Sequence, residues 1–162
     1  MGTNKVRTSE TESRLRKPAK RASSTNSQQA AFLAANAAEQ KKGHGTLILD
    51  VGQVTVLADY FVIAGGDTPT QVRAIVDAIE EALDQVGMEP KNIEGKREGR
   101  WVLMDYEFII IHVLHERERN YYNLEQFWNH ALIVDRNEWL EDDVSQSPVE
   151  ARTRRTTRRR NE

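Results

Sequence analysis

Apolar residues between Pro69 and Gly87 fall at Val72, Ile75, Val76, Ile79, Leu83 and Val86. Steps of three and four residues put them on one side of a helix, and that side predicts packing on a sheet. Thr68 stands where a cap is wanted. Pro69 takes the first helical position, where its missing N–H is no loss, and Gly87 closes the helix. On either side the period changes to two. Thr46 to Val51 and Val56 to Gly66 are rich in β-branched and aromatic residues and predict strands, and a short strand is expected around Asn92 to Glu94. Arg100 to Asp105 and Phe108 to Leu114 predict a hairpin that turns near Tyr106 and Glu107. From Glu118 to about His130, Tyr121, Leu124 and Trp128 recur at helical spacing. Ahead of the strands, Ser27 to Lys42 is Ala-rich, with Ser27 as N-cap and Gly43 as stop. Its apolar face is thin, since only Phe32 and Leu33 are large. The order predicts a single α/β domain, a mixed sheet of about five strands flanked by helices on at least one face.

The hairpin raises the question of function. Alternation places Val102 and Met104 on one side of its first strand and Trp101, Leu103 and Asp105 on the other. If helices cover only the first side, an indole and an aliphatic chain rimmed by a carboxylate form an open patch of the composition that binding hot spots have. If both sides are covered, Asp105 serves only to cap the turn before Tyr106. Periodicity leaves both readings open.

Charge sharpens the picture. The net charge of -2 over 162 residues divides into +5 for residues 1–25, -11 for residues 26–144 and +4 for residues 145–162. The predicted layout is a disordered basic tail over residues 1–26, a domain over residues 27–136, and an acidic and then Arg-rich tail over residues 137–162 that is mostly disordered. An acidic body is drawn to basic protein, and basic tails are drawn to phosphate. With no cysteine, disulfides and thiolate chemistry are excluded. No apolar run reaches the length of a membrane span, and the first residues hold no secretory apolar region. A cytoplasmic protein is expected, with an organelle as the alternative because the first 25 residues are rich in Arg, Lys, Ser and Thr.

Catalytic chemistry finds little support. "IAGGDTPTQV" sets two glycines before a helix N-terminus, where backbone N–H groups can hold phosphate, but the dinucleotide and P-loop spacings are absent. No D-x-D pair in the strands is available for Mg²⁺. His112 and His115, three apart on a strand, point to opposite faces, so a buried and a capping histidine are expected rather than a metal site. No G-x-S-x-G elbow occurs. The expectation is a non-enzyme with no cofactor and no metal.

"LADYFVIAGGDTPTQVRAIVDAIEEAL" and "IEGKREGRWVLMDYEFIIIHVLHERERNYYNLEQFW" resemble the ribosomal silencing factor, or Iojap, family over about residues 47–128. The specific parts are Asp59-x-Phe61, Gln71-Val72, Glu94-Gly95, Trp101-x-x-x-Asp105, His112, and Tyr122-x-Leu124-Glu125 with Trp128. The resemblance implies a nucleotidyltransferase-like fold without the catalytic carboxylates. It also implies a translational repressor that binds the large ribosomal subunit at its fourteenth protein and sterically blocks joining of the small subunit. Carried over by position, Trp101, Leu103, Asp105 and Tyr106 form the expected partner-binding surface, with Asp59 as an acidic contact nearby, while Val72 and Arg73 are structural. Ribosomal RNA contact by the basic tails, no membrane partner, and a monomer or weak homodimer complete the expectation. The alternatives are a degenerate nucleotide-binding domain and a non-specific nucleic-acid-binding protein acting through its tails. One departure stands out: the family has Gly then Asp in the hairpin turn where this chain has Glu107 and Phe108. A turn that needs positive φ would strain Glu107.

Overall fold

The computed structural model describes residues 17–141. The helix marked by Thr68 and Pro69 is α2, Pro69–Asp84, with Thr68 Oγ1 accepting from the Gln71 N–H at 3.1 Å. Its apolar face is fully buried at Val72, Ile75, Val76, Ile79 and Leu83. Val86 is not part of that face. It lies beyond the helix end and is 55 % exposed, because Asp84 is the last helical residue and Gly87 turns the chain with φ 77°.

The first helix, α1 (Lys17–Gln40), starts ten residues before Ser27, so residues 17–26 are helical rather than part of a tail. Pro18 is tolerated in a first turn, and Ala, Lys and Arg propagate a helix whose second half is anchored by packing. That anchor is made of small residues. Ala30, Ala31, Ala34, Ala35, Ala37 and Ala38 are buried while Phe32 and Leu33 are only partly so. Short side chains let the helix backbone come close to α2 and the sheet, so the thin face anchors the helix through close approach rather than bulk. The remaining expected tail positions, residues 1–16 and 142–162, lie outside the described residues.

The strands are β1 (His44–Asp50), β2 (Tyr60–Gly66), β3 (Asn92–Glu94), β4 (Trp101–Asp105), β5 (Ile109–His115) and β6 (Leu132–Ile133). They form one sheet in the order β3-β4-β5-β2-β1-β6, one strand more than expected. β2 and β5 run parallel, and the other neighbouring pairs are antiparallel. The parallel pair follows from the α2 crossover, while β4 and β5 make the expected hairpin. The last predicted helix is broken into α3 (Glu116–Tyr122) and α4 (Leu124–Phe127) by Asn123 at φ 45°, a left-handed conformation that Asn tolerates. The short α5 (Arg136–Trp139) follows β6 and packs Trp139 into the core beside α1.

The sheet therefore has two unlike faces. α1 and α2 cover the one that holds Ile48, Val62, Val102, Met104, Ile109, Ile111 and Val113. On the other, Leu49, Phe61, Ile63 and Leu114 are buried under Leu124, Trp128 and Ala131, and Trp101 and Ile110 lie at the margin.

Candidate partner-binding surface

β4 and β5 pair Trp101 with Leu114, Leu103 with His112 and Asp105 with Ile110. In an antiparallel pair, directly opposed residues share a face, so Trp101, Leu103, Asp105, Ile110 and His112 meet on the side away from α1 and α2. Trp101, Leu103, Asp105 and Ile110 are each partly buried, whereas Val102 and Met104, one residue away on β4, are fully enclosed. The patch is open to one side and held from beneath.

His112 holds it. The imidazole is 8 % exposed, and its Nδ1 accepts a hydrogen bond from Trp101 Nε1 at 3.1 Å. That bond requires the tautomer with its proton on Nε2. Burial pushes the His112 pKa down from 6.5 to about 4, so the ring is neutral at physiological pH and keeps its acceptor. Phe61 meets the same ring edge-on at 5.5 Å, and Phe61 packs edge-on against Trp128 at 4.9 Å. Tyr122 lies over Trp101 at 4.8 Å with half its surface in solvent, and Tyr121 beside it is 82 % exposed. The surface thus extends from the hairpin onto the end of α3. The repeat of Tyr121 at helical spacing had pointed inward, yet the break at Asn123 leaves both tyrosines outside.

The turn at the rim satisfies the plainer reading of Asp105 as well. Its Oδ1 accepts from the Glu107 N–H at 2.8 Å, so the carboxylate caps the turn while the residue remains part of the open face. Glu107 has φ 75°, and the Phe108 N–H bonds the Tyr106 carbonyl across it at 3.0 Å. That is a three-residue turn of the strained, positive-φ kind. The strain expected from the missing glycine is present. Phe108 projects into solvent beside it.

Two of the expected surface residues are placed elsewhere. Tyr106 is 4 % exposed and belongs to the core under α1 and α2, because alternation carries it to the side of Val102 and Met104. It is not part of the Trp101 surface. Asp59 lies at the same end of the sheet, its N–H bonded to the Phe108 carbonyl at 2.7 Å, but its carboxylate accepts from Ser27 Oγ of α1 at 3.0 Å. Ser27 is accordingly not the N-cap of α1; it is a buried link between that helix and β2. Asp59 is already engaged within the fold.

The other motifs resolve into structure. His115 caps α3, its Nδ1 accepting from the Arg117 N–H at 3.2 Å. In the "GGDT" turn, a Cβ on Gly66 would come within 2.9 Å of Val72 Cγ2, so glycine there allows β2 to meet α2. The Asp67 N–H is taken by Gln71 Oε1 at 2.8 Å, and the Asp67 carboxylate lies 2.8 Å from His44 Nε2. A carboxylate and a side-chain cap occupy the place a phosphate would need. Among the described residues no group of three or more His, Cys, Asp and Glu is arranged to hold a metal ion, and no helix is long and apolar enough to cross a membrane.

Comparison with known proteins agrees with this architecture. A family model described as "Ribosomal silencing factor during starvation" matches residues 24–162. The "Ribosomal silencing factor RsfS" of Bacillus subtilis is 41% identical over 103 residues, which cover 64% of this chain and 87% of that protein. A crystal structure of a Bacillus halodurans protein aligns with TM-score 0.60 and 35% identity over 67% of this chain and 98% of that one. One from Chromobacterium violaceum aligns with TM-score 0.62 and 32% identity over 64% and 86%. The chain belongs to the ribosomal silencing factor family.

Proposed function

We propose that this protein represses translation by docking on the large ribosomal subunit at its fourteenth protein, so that the small subunit cannot join, with no reaction involved. The observation that carries this reading is the half-open face of Trp101, Leu103 and Ile110, rimmed by Asp105 and extended by Tyr122. An aromatic anchor pre-set by a hydrogen bond loses little freedom on binding, which favours a compact interface. The net charge of -11 over residues 26–144 suits a basic protein bedded in RNA. The protein would act in the cytoplasm, as a monomer or weak homodimer, and its basic tails would add salt-sensitive contact with ribosomal RNA.

Co-sedimentation with purified large subunits tests the surface. Trp101→Ala is expected to weaken association by about 2 kcal/mol or more. Trp101→Phe keeps the ring but loses the bond to His112, and serves to separate anchoring from positioning. A folded Trp101→Ala protein that still travels with large subunits and still prevents joining would remove this face from the interface. Asp105→Lys should bind more weakly than Asp105→Ala, since both lose the turn cap and only one reverses the rim charge. Removing residues 145–162 should leave association intact at moderate salt. Complete loss on that deletion would instead assign binding to the tail.

A further inference from the structure

On its side away from the sheet, α2 carries Asp77, Glu80, Glu81 and Asp84, and the chain returning through Met88, Glu89 and Pro90 closes a cleft of about 550 Å³ against them. Five of the seven lining residues are carboxylates. Lys96 reaches Asp77 at 2.6 Å and Glu80 at 3.5 Å, at the end of the cleft nearer the middle of the helix. The last turn of α2 contains no basic residue and ends on Asp84. Acidic charge there opposes the helix dipole, whose C-terminal end favours a cation.

A second observation comes from beneath the cleft. Tyr106 is 4 % exposed and its hydroxyl has no hydrogen-bond partner. Burial raises its pKa to about 12, and the charges that add to the effect are those of Glu80 and Asp84, two walls of the cleft. An orphaned phenol oxygen thus lies close behind a row of carboxylates. A planar group with several N–H donors would satisfy both at once, donating to the phenol oxygen and to the carboxylates with the same fork.

We propose that this cleft seats the chain's own Arg-rich segment, residues 152–160, as an intramolecular latch. Six of those nine residues are Arg, a denser run of guanidinium groups than residues 1–25, where seven basic residues are spread over the stretch. Reach permits it. The described chain ends at Glu141, whose N–H donates to Asn36 Oδ1 on α1, and α1 packs directly against α2. Eleven further residues lead to Arg152 and span up to about 36 Å when extended. Neighbouring helices lie only about 8–10 Å apart, so the segment can cross α1 to the outer side of α2. Tethering also gives it an effective concentration in the mM range, ahead of any free peptide. The latch is independent of the docking reading above, and it would keep the Arg segment on the acidic body until a phosphate-rich surface competes for it.

The absence of cysteine makes the test direct, because Thr157→Cys gives the full-length chain one site for a nitroxide label. The expected result is selective loss of amide NMR signal at residues 77–84 and 88–89. That loss should reverse at about 0.5 M salt, where screening acts within a few Å. It should also reverse in the Glu80→Gln, Asp84→Asn double variant, whose exposed positions leave the core untouched. Three results would overturn the latch: no selective loss at those amides, loss that persists in the double variant, or loss that appears only when labelled and isotopically enriched chains are mixed. The last would make the contact one between two copies.

Discussion

Val102 and Met104 are fully enclosed, and Trp101 and Leu103, their neighbours on the same five-residue strand, are partly open. The strand sequence does not create that contrast, since both sides carry large apolar groups. What differs is the cover. One face lies under 24 residues of α1 and 16 of α2, the other under seven of α3, four of α4 and the segment that follows. A long cover with an alanine seam yields a core. A short, broken cover yields a platform whose aromatic groups are fixed from below and free from above.

Paired substitutions on β5 test this contrast most strongly. Ile111→Ala, on the helix-covered side, should cost about 2–5 kcal/mol of unfolding free energy in denaturant titrations. Ile110→Ala, one residue earlier on the open side, should cost well under half of that. Equal losses would mean that both faces are core and that no platform exists.

Acidification probes the open face next. His112 has a folded pKa of about 4 against an ordinary 6.5, so between those values the unfolded chain takes up a proton that the folded chain does not. Stability therefore rises with pH across that window and is lost as pH falls from 6.5 towards 4, by about 3 kcal/mol in all. His112→Gln, which keeps an acceptor for Trp101, should flatten that part of the pH profile. An unaltered slope in this variant would assign the dependence to other groups.

The smallest effect belongs to the turn that joins the two strands. Glu107→Gly should raise stability by about 1 kcal/mol by relieving the positive φ. The exposed ion pair that it removes, Glu107 with Lys91 at 3.5 Å, contributes little. A thermal midpoint that fails to rise would show that the turn is unstrained or that the pair matters more than its exposure suggests.

Much of this was legible in the chain, and the legible parts share a cause. Thr68, Pro69 and the apolar steps of α2 act within one or two helical turns, and the alternation from Trp101 to Asp105 acts between residues two apart. Alternation continued by one step also puts Tyr106 with Val102 and Met104, so its place in the core could be read despite its appearance beside the patch in the family motif. The small strand β6, the short α5 and the break at Asn123 carried no comparable period. Their positions depend on pairing with β1 and packing on α1.

By itself the sequence determined the mixed α/β architecture, the two faces of the hairpin, the division into acidic body and basic ends, and the family. Those properties arise from short spacings, caps and summed charge, which need no knowledge of distant residues. The tertiary structure alone decided how far Trp101 opens to solvent, that Ser27 engages Asp59, and that Glu80 and Asp84 stand over an unpartnered Tyr106 hydroxyl. Each of those depends on groups more than ten residues apart brought within a few Å, and exposure is a property of what arrives from elsewhere in the chain.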